Sequence, residues 1–178
     1  MKTLAQQMAV YNAYHLNERN KMTHFIGVPL IVLALLIPLS WLRLQIGSVA
    51  ITGAMVFVAM VTIWYLLLDV PLAVLTIAGV LPLLWAAHVI AAEGTTTGWM
   101  AFAIAFVGGW VFQLIGHAIE GRRPALVDNF LQIFVAPVFL AAEALFHFGK
   151  RLGLKREVDA LTVMSDRKSA ASASPSTS

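Results

Sequence analysis

From Phe25 to Ile119 the chain is almost continuously apolar, and its few polar or glycine-containing breaks divide it into runs of membrane-spanning length. A spanning helix needs about 20 predominantly apolar residues. Four segments supply them: Phe25 to Ile46, Val49 to Leu68, Pro71 to Ala92 and Trp99 to Ile119. The connections at Gly47-Ser48, Asp69-Val70-Pro71 and Glu93 to Gly98 are short and carry turn residues, so successive spans are expected to be antiparallel. Pro38 and Pro82 fall inside spans and are expected to kink them, which neighbouring helices in a membrane accommodate.

Lysine and arginine flank these spans unevenly. Lys2, Arg19 and Lys21 precede the first, Arg122 and Arg123 follow the fourth, and Lys150, Arg151, Lys155 and Arg156 lie beyond the last apolar run, whereas the other loops offer only Arg43. The positive-inside rule then places both termini and the Arg122-Arg123 loop on the cytoplasmic side. The apolar stretch Leu126 to Phe148 begins and ends beside basic clusters, so it is expected to dip in and return. Its Asp128, Asn129, Gln132, Pro137 and Glu143 fit a broken segment lying against protein. A fifth crossing is the rival reading. The expected fold class is all-α, an integral membrane bundle of four transmembrane helices plus a re-entrant or interfacial helical hairpin. Residues 1–24 are expected to form a cytoplasmic-side segment, 25–156 the membrane domain, and 157–178, Ser/Ala-rich from Ser165, a disordered tail.

Composition agrees. Of 178 residues, 60% are hydrophobic and 12% charged, where a soluble domain carries roughly a quarter charged. With no cysteine, any metal must be held by nitrogen and oxygen ligands. No phosphate-binding loop or serine-hydrolase elbow occurs, and the net charge of +3 is accounted for by topology. Nucleotide hydrolysis, serine hydrolysis and nucleic-acid binding are unsupported.

The remaining polarity gathers in two places, Tyr14-His15 through Asn20 to His24, and Gln113 through His117 to Glu120. The expected topology puts both at one membrane face. Gln113, His117 and Glu120 follow i, i+4, i+7 spacing and share a helical stripe. His15 and His24 are half a turn out of phase on a straight helix, so the chain must bend between them, with Asn17 to Asn20 a suitable place. Ionisable groups at membrane depth mark functional sites. His15, His24, His117 and Glu120 are therefore the candidate metal ligands and catalytic residues, for ferrous iron (Fe2+) or zinc (Zn2+). Arg122 and Arg123 are candidates to clamp an anionic head group, although basic residues beside a span also report topology alone. His88 is expected at the far end, in a packing role. Tyr11, Tyr14 and the tryptophans read as an interfacial aromatic belt.

The paired pattern HxxxxNxxxHxxGxP (His15, Asn20, His24, Gly27, Pro29) and QxxGHxxExxxPAL (Gln113, Gly116, His117, Glu120, Pro124 to Leu126), with Trp110 and Asp128-Asn129, resembles the fungal 2-hydroxy fatty acid dioxygenase family from about Tyr11 to Glu143. The resemblance implies a ferrous-iron enzyme that uses O2 to shorten a long-chain 2-hydroxy fatty acid by one carbon. It implies that His15, His24 and His117 hold the iron, with Glu120 as a further ligand or as a partner fixing a histidine tautomer. It further implies that Asn20 and Gln113 orient ligands or substrate, that Asp128 and Asn129 line the mouth, and that Gly27 and Gly116 permit close helix approach. The chain departs from the family in ending on a Ser/Ala-rich stretch without a lysine-rich retrieval signal, so a bacterial inner membrane is expected rather than the endoplasmic reticulum. Two rival readings fit the same residues: a non-enzymatic membrane carrier or scaffold, and a zinc-dependent membrane lipid hydrolase.

Overall fold

Helix α1, Leu4–Asn12, starts behind a capping box in which Thr3 and Gln6 each accept the other's amide. The computed structural model describes residues 3–122 and 132–173. After a turn over residues 13–17, α2 runs Glu18–Trp41, with the Asn17 side chain accepting from the Arg19 amide at 2.9 Å. The first long helix thus begins at Glu18, not Phe25, because Asn17 caps it there.

It also stops short of Ile46. Strands β1, Arg43–Ile46, and β2, Val49–Thr52, pair antiparallel with Ile46 opposite Val49, so Gly47-Ser48 is a two-residue hairpin loop. Gly47 sits at φ +61°, the conformation such loops require, and β-branched residues follow it. The all-α expectation is corrected here by this small hairpin. Helix α3 is then only Gly53–Leu68, capped by Thr52. Its 16 residues rise about 24 Å, less than the roughly 30 Å hydrocarbon core. Helices α2, α4 (Val70–Ala92) and α5 (Thr95–Glu120) are long and apolar enough to cross a membrane. The expected four spans therefore reduce to three helices of sufficient length plus a shorter one. Ile104, Val107, Val74 and Leu81 point outward from α4 and α5, an apolar exterior that fits lipid contact.

Helix α6, Gln132–His147, runs through Pro137 without a break, so within the described residues this segment is one helix and not a hairpin. Lys21 ties it to α2 through a 3.1 Å ion pair with Glu143. Helix α7, Leu152–Ala173, extends into the stretch expected to be disordered. It is anchored on α1, where Asn12 Nδ2 donates to Thr162 Oγ1 at 3.2 Å and Val158 is buried.

The contact that positions the site is the crossing of α2 and α5. A Cβ on Gly27 would stand 2.9 Å from the Gly109 carbonyl, and one on Gly116 would stand 2.2 Å from Thr23 Oγ1. Small residues here let the two backbones approach closely. One apolar cluster packs Met8, Tyr11, Tyr65, Leu72 and Phe139 near the α2 N-terminus, and another packs Leu36, Ile37, Ala54, Val58 and Ala87 toward the hairpin end.

Candidate metal centre

His15 lies in the turn between α1 and α2, His24 in the second turn of α2, and His117 near the end of α5. All three are buried, and each offers a ligand atom within 4.8 Å of the others. The bend that unites His15 with His24 falls over residues 13–17, meeting the anticipated Asn17 to Asn20 stretch only at its edge.

Hydrogen bonding fixes two tautomers. His15 Nδ1 donates to the Tyr11 carbonyl at 2.7 Å and His24 Nδ1 to the Asn20 carbonyl at 2.9 Å. A carbonyl only accepts, so both Nδ1 atoms carry hydrogen and both Nε2 atoms present lone pairs. These two Nε2 atoms face one another at 3.0 Å. Burial, and then the neighbouring His24, push the His15 pKa down to about 2, so a proton on His15 does not relieve the opposed lone pairs. A shared cation does. Two nitrogens this close are within reach of one ion at metal–nitrogen distances of about 2.0–2.1 Å, and backbone carbonyls behind them are the usual orienting partners of metal-bound imidazole. Three buried histidines can therefore hold a metal ion here. His117 Nδ1 is buried beside the Arg122 backbone, outside hydrogen-bonding geometry.

Glu120 holds the turn that carries His15. Its Oε1 accepts from the Leu16 amide at 3.0 Å, and its Oε2 from the Asn17 amide at 2.8 Å and Asn20 Nδ2 at 3.1 Å. The carboxylate pins the His15 turn onto α5, and it lies outside the group of candidate ligand atoms. Asn20, fully buried, also donates to the Tyr14 carbonyl. Arg122 Nη1 donates to the Ala13 carbonyl at 2.5 Å, so it fastens the same turn. Arg123, Asp128 and Asn129 lie outside the described residues. His88 is at the hairpin end, bonded to Thr52 Oγ1 at 2.8 Å and to the Leu84 carbonyl.

Two contributors escaped the sequence reading. Tyr11 stacks on His15 with ring centroids 4.0 Å apart and planes 8° from parallel, and Phe139 of α6 packs on Tyr11 at 4.8 Å. The i, i+4 spacing of Tyr11 and His15 was the available signal for the first; nothing in the sequence marked the second.

From the histidines a cavity of about 390 Å³ extends between α2, α3, α4, α5 and α6. Among the described residues its wall is apolar, including Val28, Leu35, Leu39, Phe57 and Val80, except for the histidines, Tyr11, Tyr65, Gln113 and Gln132. The site thus joins a nitrogen-lined polar end to an acyl-compatible interior.

Residues 1–148 match the family described as 2-hydroxy-palmitic acid dioxygenase Mpo1-like. The chain is 35% identical over 158 residues to the 2-hydroxy-palmitic acid dioxygenase MPO1 of Saccharomyces cerevisiae, covering 88% of this chain and 87% of the yeast protein. No solved structure matches. With both halves of the histidine pattern folded into one buried cluster and the match spanning most of the chain, this protein belongs to the Mpo1-like family.

Proposed function

We propose that this protein is a membrane-embedded dioxygenase that converts a 2-hydroxy fatty acid to the acid one carbon shorter, with ferrous iron held by His15, His24 and His117. The observation that carries the metal in this reading is the 3.0 Å approach of two Nε2 lone pairs whose Nδ1 atoms are both committed to carbonyls. The family match supplies the reaction class. Bound ferrous iron supplies O2 activation. The chain's own residues do the rest: the Tyr11 and Asn20 carbonyls hold the imidazoles in register, Glu120 holds the His15 turn against α5, and the apolar cavity keeps water from the site. In the overall reaction the bond between carbons 1 and 2 breaks, O2 is reduced, and carbon 1 leaves as carbon dioxide with a molecule of water. Gln113, one turn from His117 and buried on the cavity wall, is placed to orient the substrate's polar end. The basic flanks put this end of the bundle on the cytoplasmic face.

The test is anaerobic metal analysis of detergent-purified protein, wild type beside His117→Ala, followed by oxygen uptake with a long-chain 2-hydroxy acid. Stoichiometric iron, lost in the variant, with substrate-dependent oxygen uptake is the expected result. Zinc without oxygen uptake turns the reading to hydrolysis, and no metal in either protein overturns it in favour of a carrier or scaffold.

A further inference from the structure

The cavity runs along α2 away from the histidines. His24 and Leu39 both line it and lie on the same helix; the fifteen residue steps from one to the other along α2 rise about 22 Å. Over that distance the wall offers Val28, Ile31, Leu35 and Leu39 from α2, with no charged side chain among the described lining residues. At the far end Leu39, Phe57 and Val80, from α2, α3 and α4, pack against the Leu36–Ile37–Val58 cluster. In that cluster Ala54 and Ala87 lie beyond the cavity lining, toward the hairpin.

We propose that this cavity is a length-measuring acyl tunnel, in which the polar end of a fatty acid sits at the histidines and its methyl end abuts Leu39, Phe57 and Val80. This assignment deepens the proposed function and rests on it for the orientation of the acid. An extended chain advances about 1.2 Å per single bond, as the extended backbone does, so the tunnel takes roughly sixteen to eighteen carbons. Such a length exceeds the half-thickness of the roughly 30 Å hydrocarbon core. The acid therefore lies along α2 with its chain shielded by protein, not merely borrowed from one leaflet.

Filling the far end should shorten the preferred acid, and trimming it should lengthen it. Each methylene denied the tunnel costs roughly fourfold in affinity, so excluding about three shifts preference on the order of fiftyfold. The experiment compares Leu39→Trp and Phe57→Ala with wild type and with Leu81→Trp, whose side chain points outward from α4 and is absent from the lining. Two readouts are taken: oxygen uptake across 2-hydroxy acids of graded length, and thermal stabilisation of metal-free protein by unsubstituted saturated acids of the same lengths. The expected result is an optimum moved to shorter acids in Leu39→Trp, to longer acids in Phe57→Ala, and unmoved in Leu81→Trp. A wild-type length optimum that neither far-end variant shifts overturns the tunnel while leaving the dioxygenase reading intact. A length optimum in stabilisation that moves as expected, without oxygen uptake in any protein, supports the tunnel and removes the dioxygenase reading instead.

Discussion

Glu120 accepts the Asn17 amide at 2.8 Å across more than a hundred residues of chain, and with the Leu16 amide on its other oxygen it clamps the His15 turn to the helix bearing His117. A carboxylate used in this way would govern metal binding by holding the histidines in register. Glu120→Gln keeps one acceptor but turns an NH2 group toward an amide donor. Metal affinity is expected to fall about 10- to 100-fold, the usual effect of losing an orienting partner, while the iron stoichiometry at saturating metal stays that of wild type. Titration of metal into stripped protein checks this; loss of one coordinating oxygen from the metal's spectrum in the variant would instead make Glu120 a ligand.

The three histidines predict a stability linkage. Opposed lone pairs are a cost in the metal-free fold, and metal that binds the folded state alone adds about 2.7 kcal/mol at a hundredfold excess over its dissociation constant. Chelation is expected to lower the melting temperature of wild type and leave that of His24→Ala unchanged. A thermal melt with and without chelator reads both.

How much of this was legible in the sequence depends on whether the signal was periodic or tertiary. Long apolar runs marked α2, α4 and α5, and the histidine motifs marked their meeting, because hydrophobic length and ligand type are local properties. The exact limits were not legible: Asn17 starts α2 a turn and more before the apolar run, and Gly47 diverts residues 43–52 into strands that hydropathy reads as the ends of helices. Helix α7 was missed because its stability comes from Asn12–Thr162 and Val158 contacts on α1, which no local pattern encodes. The same holds for Glu120, whose hydrogen bonds to the Leu16 and Asn17 amides are made across the turn and are encoded by no local pattern.

Acid should weaken the metal-free protein. His15 has a folded pKa of about 2 against an ordinary 6.5, so below about pH 6.5 the unfolded chain binds a proton that the folded chain refuses. Stability is therefore fully present above the unfolded value and lost as pH falls through the window toward the folded one, by up to about 1.4 kcal/mol per unit. Denaturant melts of chelator-treated protein at about pH 7 and about pH 5 measure the slope, and His15→Gln is expected to flatten it.

Gly116→Ala tests the helix crossing that makes the site possible. The added methyl would meet Thr23 Oγ1 at 2.2 Å and Asn20 Oδ1 at 2.3 Å, and Asn20 is fully buried, with its amide already bonded to Tyr14 and Glu120. It cannot retreat without releasing the turn that carries His15. Overpacking of this kind costs about 1–3 kcal/mol, and the displacement falls on the ligand geometry as well as on stability. The variant is expected to melt lower and to bind metal more weakly. Gly108→Ala, on the same helix with open space where its Cβ would lie, is expected to do neither and to stabilise α5 slightly. Equal effects from the two substitutions would mean that helix propensity, and not the approach of α2 to α5, controls the site.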